Sequence, residues 1–212
     1  MLSRRLIRIK AFKTLFAYEA SESSNVDSAE KQLVESCDKV KDLYYFLLNI
    51  SGSLVDVAAE RIADGMRKFH PTEAEANPNM KFVGNGFAKL LGDDPEFGRY
   101  CQKRGLVWAE YDAFVKRVYR SIVTKEYYQN YMASPEHSFE EDCSLFSCIF
   151  QDEFEDNEEL EAILEDMSIW WNDDLAYALN WCCRTMDSIG KDIRWDLIPL
   201  YLSDIQKSAE DD

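Results

Sequence analysis

The residues best placed to do chemistry are five cations near the start of the chain. They precede every acidic residue and are Arg4, Arg5, Arg8, Lys10 and Lys13. The 212 residues carry a formal net charge of −16, so the chain beyond these five cations carries −21. Only this segment offers an attractive field to a polyanion, and arginine forks pair bidentately with phosphate. The pattern predicts a docking surface for a nucleic acid, with a solvated helix end as the alternative.

Metal-binding or catalytic chemistry has little support elsewhere in the sequence. The stretch 152–166 holds nine carboxylates, and Glu161 and Glu165 have the spacing of a metal-binding pair on a helix. A ferritin-like di-metal site also needs Glu-x-x-His, but neither His70 nor His137 has a glutamate three positions before it. No GxSxG, P-loop or GxGxxG motif is present. We therefore expect a solvated acidic face, no metal or cofactor, and no enzymatic activity.

Two aromatic segments could also contact a nucleic acid. Residues 169–174 read IWWNDD, and paired tryptophans can stack on bases. The alternative, which we favour, is a helix start capped by Asn172 or Asp173, with both rings buried. For the three tyrosines within 127–131 we likewise expect packing between helices.

The elements that must position these residues are helices nearly throughout. Only five prolines and eight glycines occur, and no hairpin signal joins two alternating runs. We predict helices at 3–19, 27–37, 38–69, 81–91, 95–103, 109–124, 125–133, 139–154, 157–166, 173–189 and 195–208. The break at 70–80 divides the chain into an N-terminal helical subdomain, 1–70, and a helical region, 71–212, packed on it. The predicted fold class is an all-α multi-helix bundle.

The first helix has two apolar stripes at helical spacing. One contains Leu6, Ile9, Phe12 and Phe16, and the other contains Ile7, Ala11 and Leu15. Two stripes predict a helix wedged into a bundle on two sides, with its arginines on an exposed flank near its start.

Cysteine spacing and hydropathy bear on the location of the protein. The six cysteines lack CxxC spacing, which favours free thiols in a reducing compartment. No apolar run approaches the roughly 20 residues of a membrane span, and no signal peptide is recognisable. We expect a cytoplasmic protein without a membrane partner.

These residues resemble the NusB family of transcription antitermination factors. The family's first helix has the pattern R-R-x-x-R-x-x-A-x-x-x-L-[YF], and this chain has Arg4, Arg5, Arg8, Ala11, Leu15 and Phe16 in register. The stretch 42–48, continuing through Asp56 and Ile62, is similar to the long helix of the family's N-terminal half. The segments 131–134 and 170–174 resemble extended members that carry a helical insertion.

The resemblance implies an all-helical, non-enzymatic protein that binds boxA-type single-stranded leader RNA. It also implies two partners, the small-subunit ribosomal protein NusE and the RNA polymerase antitermination complex. Arg4, Arg5 and Arg8 match the motif and are the expected RNA contacts, while Lys10 and Lys13 are included for their charge alone. The family's second helical half is not found in 71–212, so we expect a fragment, a truncated product or a diverged paralogue. The alternative function is a helical protein-interaction module that has lost RNA binding.

Overall fold

The computed structural model describes residues 2–21 and 25–192, and this part of the chain begins with two long helices. Helix α1 spans Arg4–Ala20, and the Ser3 hydroxyl caps it by accepting from the Leu6 N–H. Helix α2 spans Val26–Met66, and the Asn25 side chain caps it by accepting from the Ser28 N–H. Its 41 residues form one rod about 60 Å long. The predicted division at 37/38 is wrong, because the sequence there contains neither proline nor glycine to interrupt the helix.

Eight shorter α-helices follow. They are α3 (Glu73–Ala76), α4 (Gly86–Asp93), α5 (Pro95–Arg104), α6 (Asp112–Ile122), α7 (Glu126–Ala133), α8 (Phe139–Glu153), α9 (Glu158–Met167) and α10 (Leu175–Asp192). Single 3₁₀ turns at Ala109–Tyr111 and Asn172–Asp174 precede α6 and α10. Across the described residues the structure contains helices and no strand, which confirms the all-α prediction. The helix predicted at 195–208 lies outside the described residues.

Local sequence explains where several of these helices begin and end. The Asp94 carboxylate caps α5 by accepting from the N–H groups of Glu96 and Phe97, and Pro95 occupies the first helical position. Gly105 ends α5 with a φ of 69°, a left-handed conformation that glycine adopts without steric cost. The capping box of Thr72 and Glu75 forms the short α3 inside the segment predicted as a break.

The middle of α2 lies at the centre of the hydrophobic core. Residues 43–58 of α2 share one continuous cluster with buried residues from positions 82–189. The Phe46 ring lies between two indoles, with centroid distances of 4.1 Å to Trp108 and 5.5 Å to Trp171. Helices α8 and α10 form the most extensive helix pair, and α10 also packs directly on α2. Both segments separated by the predicted break therefore contribute to one core.

None of the helices among residues 2–21 and 25–192 combines the length and the hydropathy that a bilayer crossing requires.

Candidate nucleic-acid interface

One face of α1 attaches the helix to the rest of the protein. Leu2 and Leu6 are buried and form a small cluster with Val40 of α2. At the start of the helix, the Ser3 N–H donates to the Tyr177 hydroxyl of α10 at 3.1 Å. The start of α1 is thus held against α2 and against the first turn of α10, the last described helix.

Lys10 lies on this attached face and is buried. Its Nζ is 2.7 Å from Oδ2 of Asp174, and the two side chains are only 6% and 1% exposed. The other carboxylate oxygen, Oδ1 of Asp174, is buried without a hydrogen-bond partner. Burial raises the pKa of Asp174 above its usual value, while the hydrogen bond and charge of Lys10 oppose that rise. This buried ion pair therefore ties α1 to the turn before α10.

Lys13 extends the same attachment one turn further along α1. Its Nζ forms an ion pair with Oδ2 of Asp173, and both side chains are substantially exposed. Lys10 and Lys13, predicted from their charge alone to join the RNA contacts, instead pair with two consecutive aspartates, Asp174 and Asp173. The pairing explains why this acidic dipeptide lies beside the cationic helix.

The three arginines lie on the opposite, outward side of α1. Arg4, Arg5 and Arg8 are all exposed. Arg5 and Arg8 form no ion pair with any residue in the described ranges. Arg5 and Arg8 lie in the first two turns of the helix, where the positive end of the helix dipole also favours anions. The guanidinium groups of these two residues can therefore pair bidentately with phosphate without breaking an ion pair within the described protein.

Beyond Arg8, the same outward side carries four exposed apolar residues. Ile9 is 39% exposed, Phe12 69%, Leu15 62% and Phe16 69%. The prediction that both apolar stripes are packed is wrong for the described residues, since of the first stripe only Leu6 is buried. The spacing of apolar residues reveals that two faces can pack, but it does not reveal which of them another element covers.

The tryptophan segment has a structural role. Trp171 is 2% exposed, and its indole Nε1–H donates to the Lys39 carbonyl at 2.9 Å. Trp170 is partly buried against the same core. The packing interpretation is thus confirmed for Trp171, as it is for Tyr128 and Tyr131, which are 7% and 4% exposed.

The acidic stretch forms an exposed surface rather than a pocket of converging ligands. Glu161 and Glu165 are both exposed on α9. Arg117 and Lys125 reach this region and pair with Glu159 and Asp152. Within the described part of the chain, no three His, Cys, Asp or Glu side chains are grouped as metal ligands would be.

All six cysteines are free thiols. Burial raises the pKa of Cys101 and of Cys143 to about 12, so both stay protonated at neutral pH. Burial also raises the pKa of the fully buried Cys182. A thiolate nucleophile is therefore disfavoured at these three positions.

Comparison of the chain with protein-family models, with curated proteins and with solved structures gave no match.

Proposed function

We propose that this protein is a non-enzymatic RNA-binding subunit of a transcription antitermination complex, related in role to NusB and acting in the cytoplasm. In this proposal it binds boxA-type single-stranded leader RNA together with NusE and modulates termination by RNA polymerase. The resemblance of the first helix supplies the RNA class and the partners. The observation that carries the proposal is the outward placement of Arg5 and Arg8 without internal ion pairs, beside exposed Arg4.

The different surroundings of the lysines and the arginines on α1 support this assignment. Two of the five cations, Lys10 and Lys13, are neutralised by aspartates on the attached face, so phosphate would have to compete with those aspartates for them. The arginines face solvent and carry the bidentate donors that phosphate accepts best. We therefore assign the RNA contacts to Arg5 and Arg8, with Arg4 adjoining, and assign Lys10 and Lys13 to holding the helix in place.

The test is a titration of fluorescent boxA-like RNA at several salt concentrations. For single strands, the slope of log affinity against log salt changes by about 0.7 for each phosphate contact. The variant Arg5→Ala/Arg8→Ala should therefore bind more weakly, with a slope shallower by about 1.4.

The matched control is Arg61→Ala/Arg120→Ala. It removes the same charge from two other exposed arginines, on α2 and α6, that form no ion pair with described residues. This control should keep the wild-type slope. Equal slopes for both double variants would refute the assignment of the site, and equal affinity for boxA-like and scrambled RNA would refute its specificity.

The exposed apolar residues of α1 favour a second candidate, a protein-interaction module that has lost RNA binding. Contiguous exposed apolar side chains on a folded protein mark surfaces that bind other proteins, and the charge of −16 suits a basic partner. This candidate predicts that a basic protein is recovered from lysate regardless of RNase treatment. It also predicts that the purified chain has no measurable affinity for RNA.

A further inference from the structure

Two arginines of α1 have no carboxylate partner among the described residues of a strongly acidic protein. Arg5 and Arg8 are exposed and form no ion pair with any described residue, although the chain contains 40 acidic and 24 basic residues. Both guanidinium groups are therefore open to an anion. An acidic segment of the same chain is favoured over a free anion, because tethering gives it an effective concentration on the order of millimolar.

The segment 193–212, which lies outside the described part of the chain, has a suitable charge. It contains five acidic and two basic residues, and three of the acids are consecutive. These three are Glu210, Asp211 and Asp212. Arg5 and Arg8 are three residues apart on a helix, so their side chains are neighbours. A run of carboxylates can therefore pair with both arginines at once.

One face of α10 offers a route from the last described residue to the start of α1. A shallow groove of about 320 Å³ lies on this face and is lined by Trp181, Arg184, Asp187, Ser188 and Lys191. The Tyr177 ring continues the face, with its centroid 5.9 Å from that of Trp181. The Tyr177 hydroxyl in turn accepts from the Ser3 N–H. The groove thus leads from the end of α10 to the first turn of α1.

The segment is long enough to follow this route. Tyr177 and Asp192 are 15 residues apart on α10, which corresponds to about 22 Å. Arg8 lies about 8 Å further along α1, and the outward side adds about 10 Å around that helix. The path is therefore about 40 Å long, whereas the chain from 192 to 210 can extend to about 60 Å. The acidic run at 210–212 can reach both arginines.

We propose that the segment 193–212 returns along this face of α10 and that Glu210, Asp211 and Asp212 pair with Arg5 and Arg8. The occupant of the arginine face is then an acidic segment of the same chain. Exposed ion pairs are individually weak and are screened by salt, so the contact is reversible. A polyanion that makes several contacts displaces the segment, whereas an isolated anion such as inorganic phosphate does not.

Arginine modification by p-hydroxyphenylglyoxal tests this contact without RNA. The reagent attacks accessible guanidinium groups, and peptide mass spectrometry gives a rate for each arginine. At low salt, Arg5 and Arg8 should react about fivefold more slowly in the wild type than in Glu210→Gln/Asp211→Asn/Asp212→Asn. High salt should abolish this difference. Arg61 and Arg120, which are exposed and form no ion pair with described residues, should react at the same rate in both proteins.

The matched control is Glu158→Gln/Glu161→Gln/Glu165→Gln, which removes three exposed carboxylates from α9. It changes the net charge by the same amount and should leave the rates of Arg5 and Arg8 at their wild-type values. Three results would each overturn the proposal. They are equal rates in the wild type and the 210–212 variant, an equal acceleration in the α9 control, and an acceleration that Arg61 and Arg120 share.

One consequence rests on the proposed function, because RNA would contact the same two arginines. The 210–212 variant should bind boxA-like RNA about fivefold more tightly than the wild type at low salt, since RNA no longer has to displace the acidic run. If neither protein binds RNA, the proposed function fails, while the modification rates still decide whether the segment contacts α1. Slow modification of Arg5 and Arg8 together with equal RNA affinities would contradict the RNA contacts alone.

Discussion

Substitution of Lys10 by methionine should destabilise the protein far more than the same change at Lys13. Lys10→Met keeps the aliphatic stem but removes the ammonium group that faces Oδ2 of Asp174 at 2.7 Å. Because Oδ1 of that carboxylate has no partner, the variant leaves a 1%-exposed charge without compensation. Breaking a buried ion pair in this way costs about 3–5 kcal/mol.

Lys13→Met is the matched control, since it makes the same substitution one turn away on the same helix. The Lys13 and Asp173 side chains are 45% and 61% exposed, so solvent screens their interaction. Loss of such a pair costs at most about 1 kcal/mol. Chemical denaturation should therefore separate the two variants by at least about 2 kcal/mol in the free energy of unfolding.

Thermal unfolding gives the same comparison on a second scale. For a domain of this size, a loss of 3 kcal/mol lowers the melting temperature by about 6–12 °C. Lys10→Met/Asp174→Asn should recover part of that loss, because it removes the buried charge that the single variant leaves behind. Equal, small effects of Lys10→Met and Lys13→Met would refute the claim that the buried pair attaches α1.

The pH dependence of the Lys10→Met penalty has a defined sign. Burial raises the folded-state pKa of Asp174, and removing Lys10 raises it further. Between the unfolded and folded pKa values the folded state binds more protons, so stability falls as pH rises. The penalty of Lys10→Met should therefore be largest at alkaline pH and should shrink as pH falls towards the unfolded value of 3.8.

Three further predictions concern the core. Trp171→Ala should lower the free energy of unfolding by about 3–5 kcal/mol in denaturant titrations, because removing the indole that packs on Phe46 leaves a large cavity. A loss below about 1 kcal/mol would contradict the buried placement of Trp171. Cys101 and Cys143 should resist alkylation at pH 8 until the protein is unfolded, since burial raises the pKa of each to about 12; labelling of either in the native protein, mapped by mass spectrometry, would contradict this. Burial raises the pKa of Tyr45 to about 12, so between pH 10 and 12 the unfolded chain releases a proton that the folded chain keeps. The free energy of unfolding should therefore fall as pH rises through this range. Tyr45→Phe should flatten that decline, and an unchanged slope would refute the reasoning.

Much of the helical architecture follows from local sequence signals. Pro95 with Asp94, Ser138 before 139–153, and Asn157 before 158–167 place three helix starts within a residue or two of their positions in the structure. These signals are local, because a cap requires only its own residue and the next three. The boundary predicted at 37/38 has no such signal behind it, and the helix runs unbroken from its Asn25 cap to Met66.

The partners of α1 could not be predicted in the same way. Lys10 and Asp174 are 164 positions apart, and no spacing rule connects them. Composition favoured a solvent-facing lysine, since lysine is almost never fully buried unless it is paired. The exposed Phe12 and Phe16 were misassigned for the complementary reason, because hydropathy identifies an apolar face but not the element that covers it.

The salt dependence of RNA binding can separate cations that contact RNA from cations that position the helix. If Lys10 contacts phosphate, as its charge alone suggested, Lys10→Met lowers both the affinity and the slope, the latter by about 0.7. If Lys10 instead holds α1 through Asp174, the number of phosphate contacts is unchanged. Affinity then falls at every salt concentration while the slope stays at the wild-type value. The titrations are made below the melting temperature of the variant. A reduced slope would assign Lys10 to the RNA-binding surface. An unchanged slope with weaker binding would show that the buried pair orients Arg5 and Arg8.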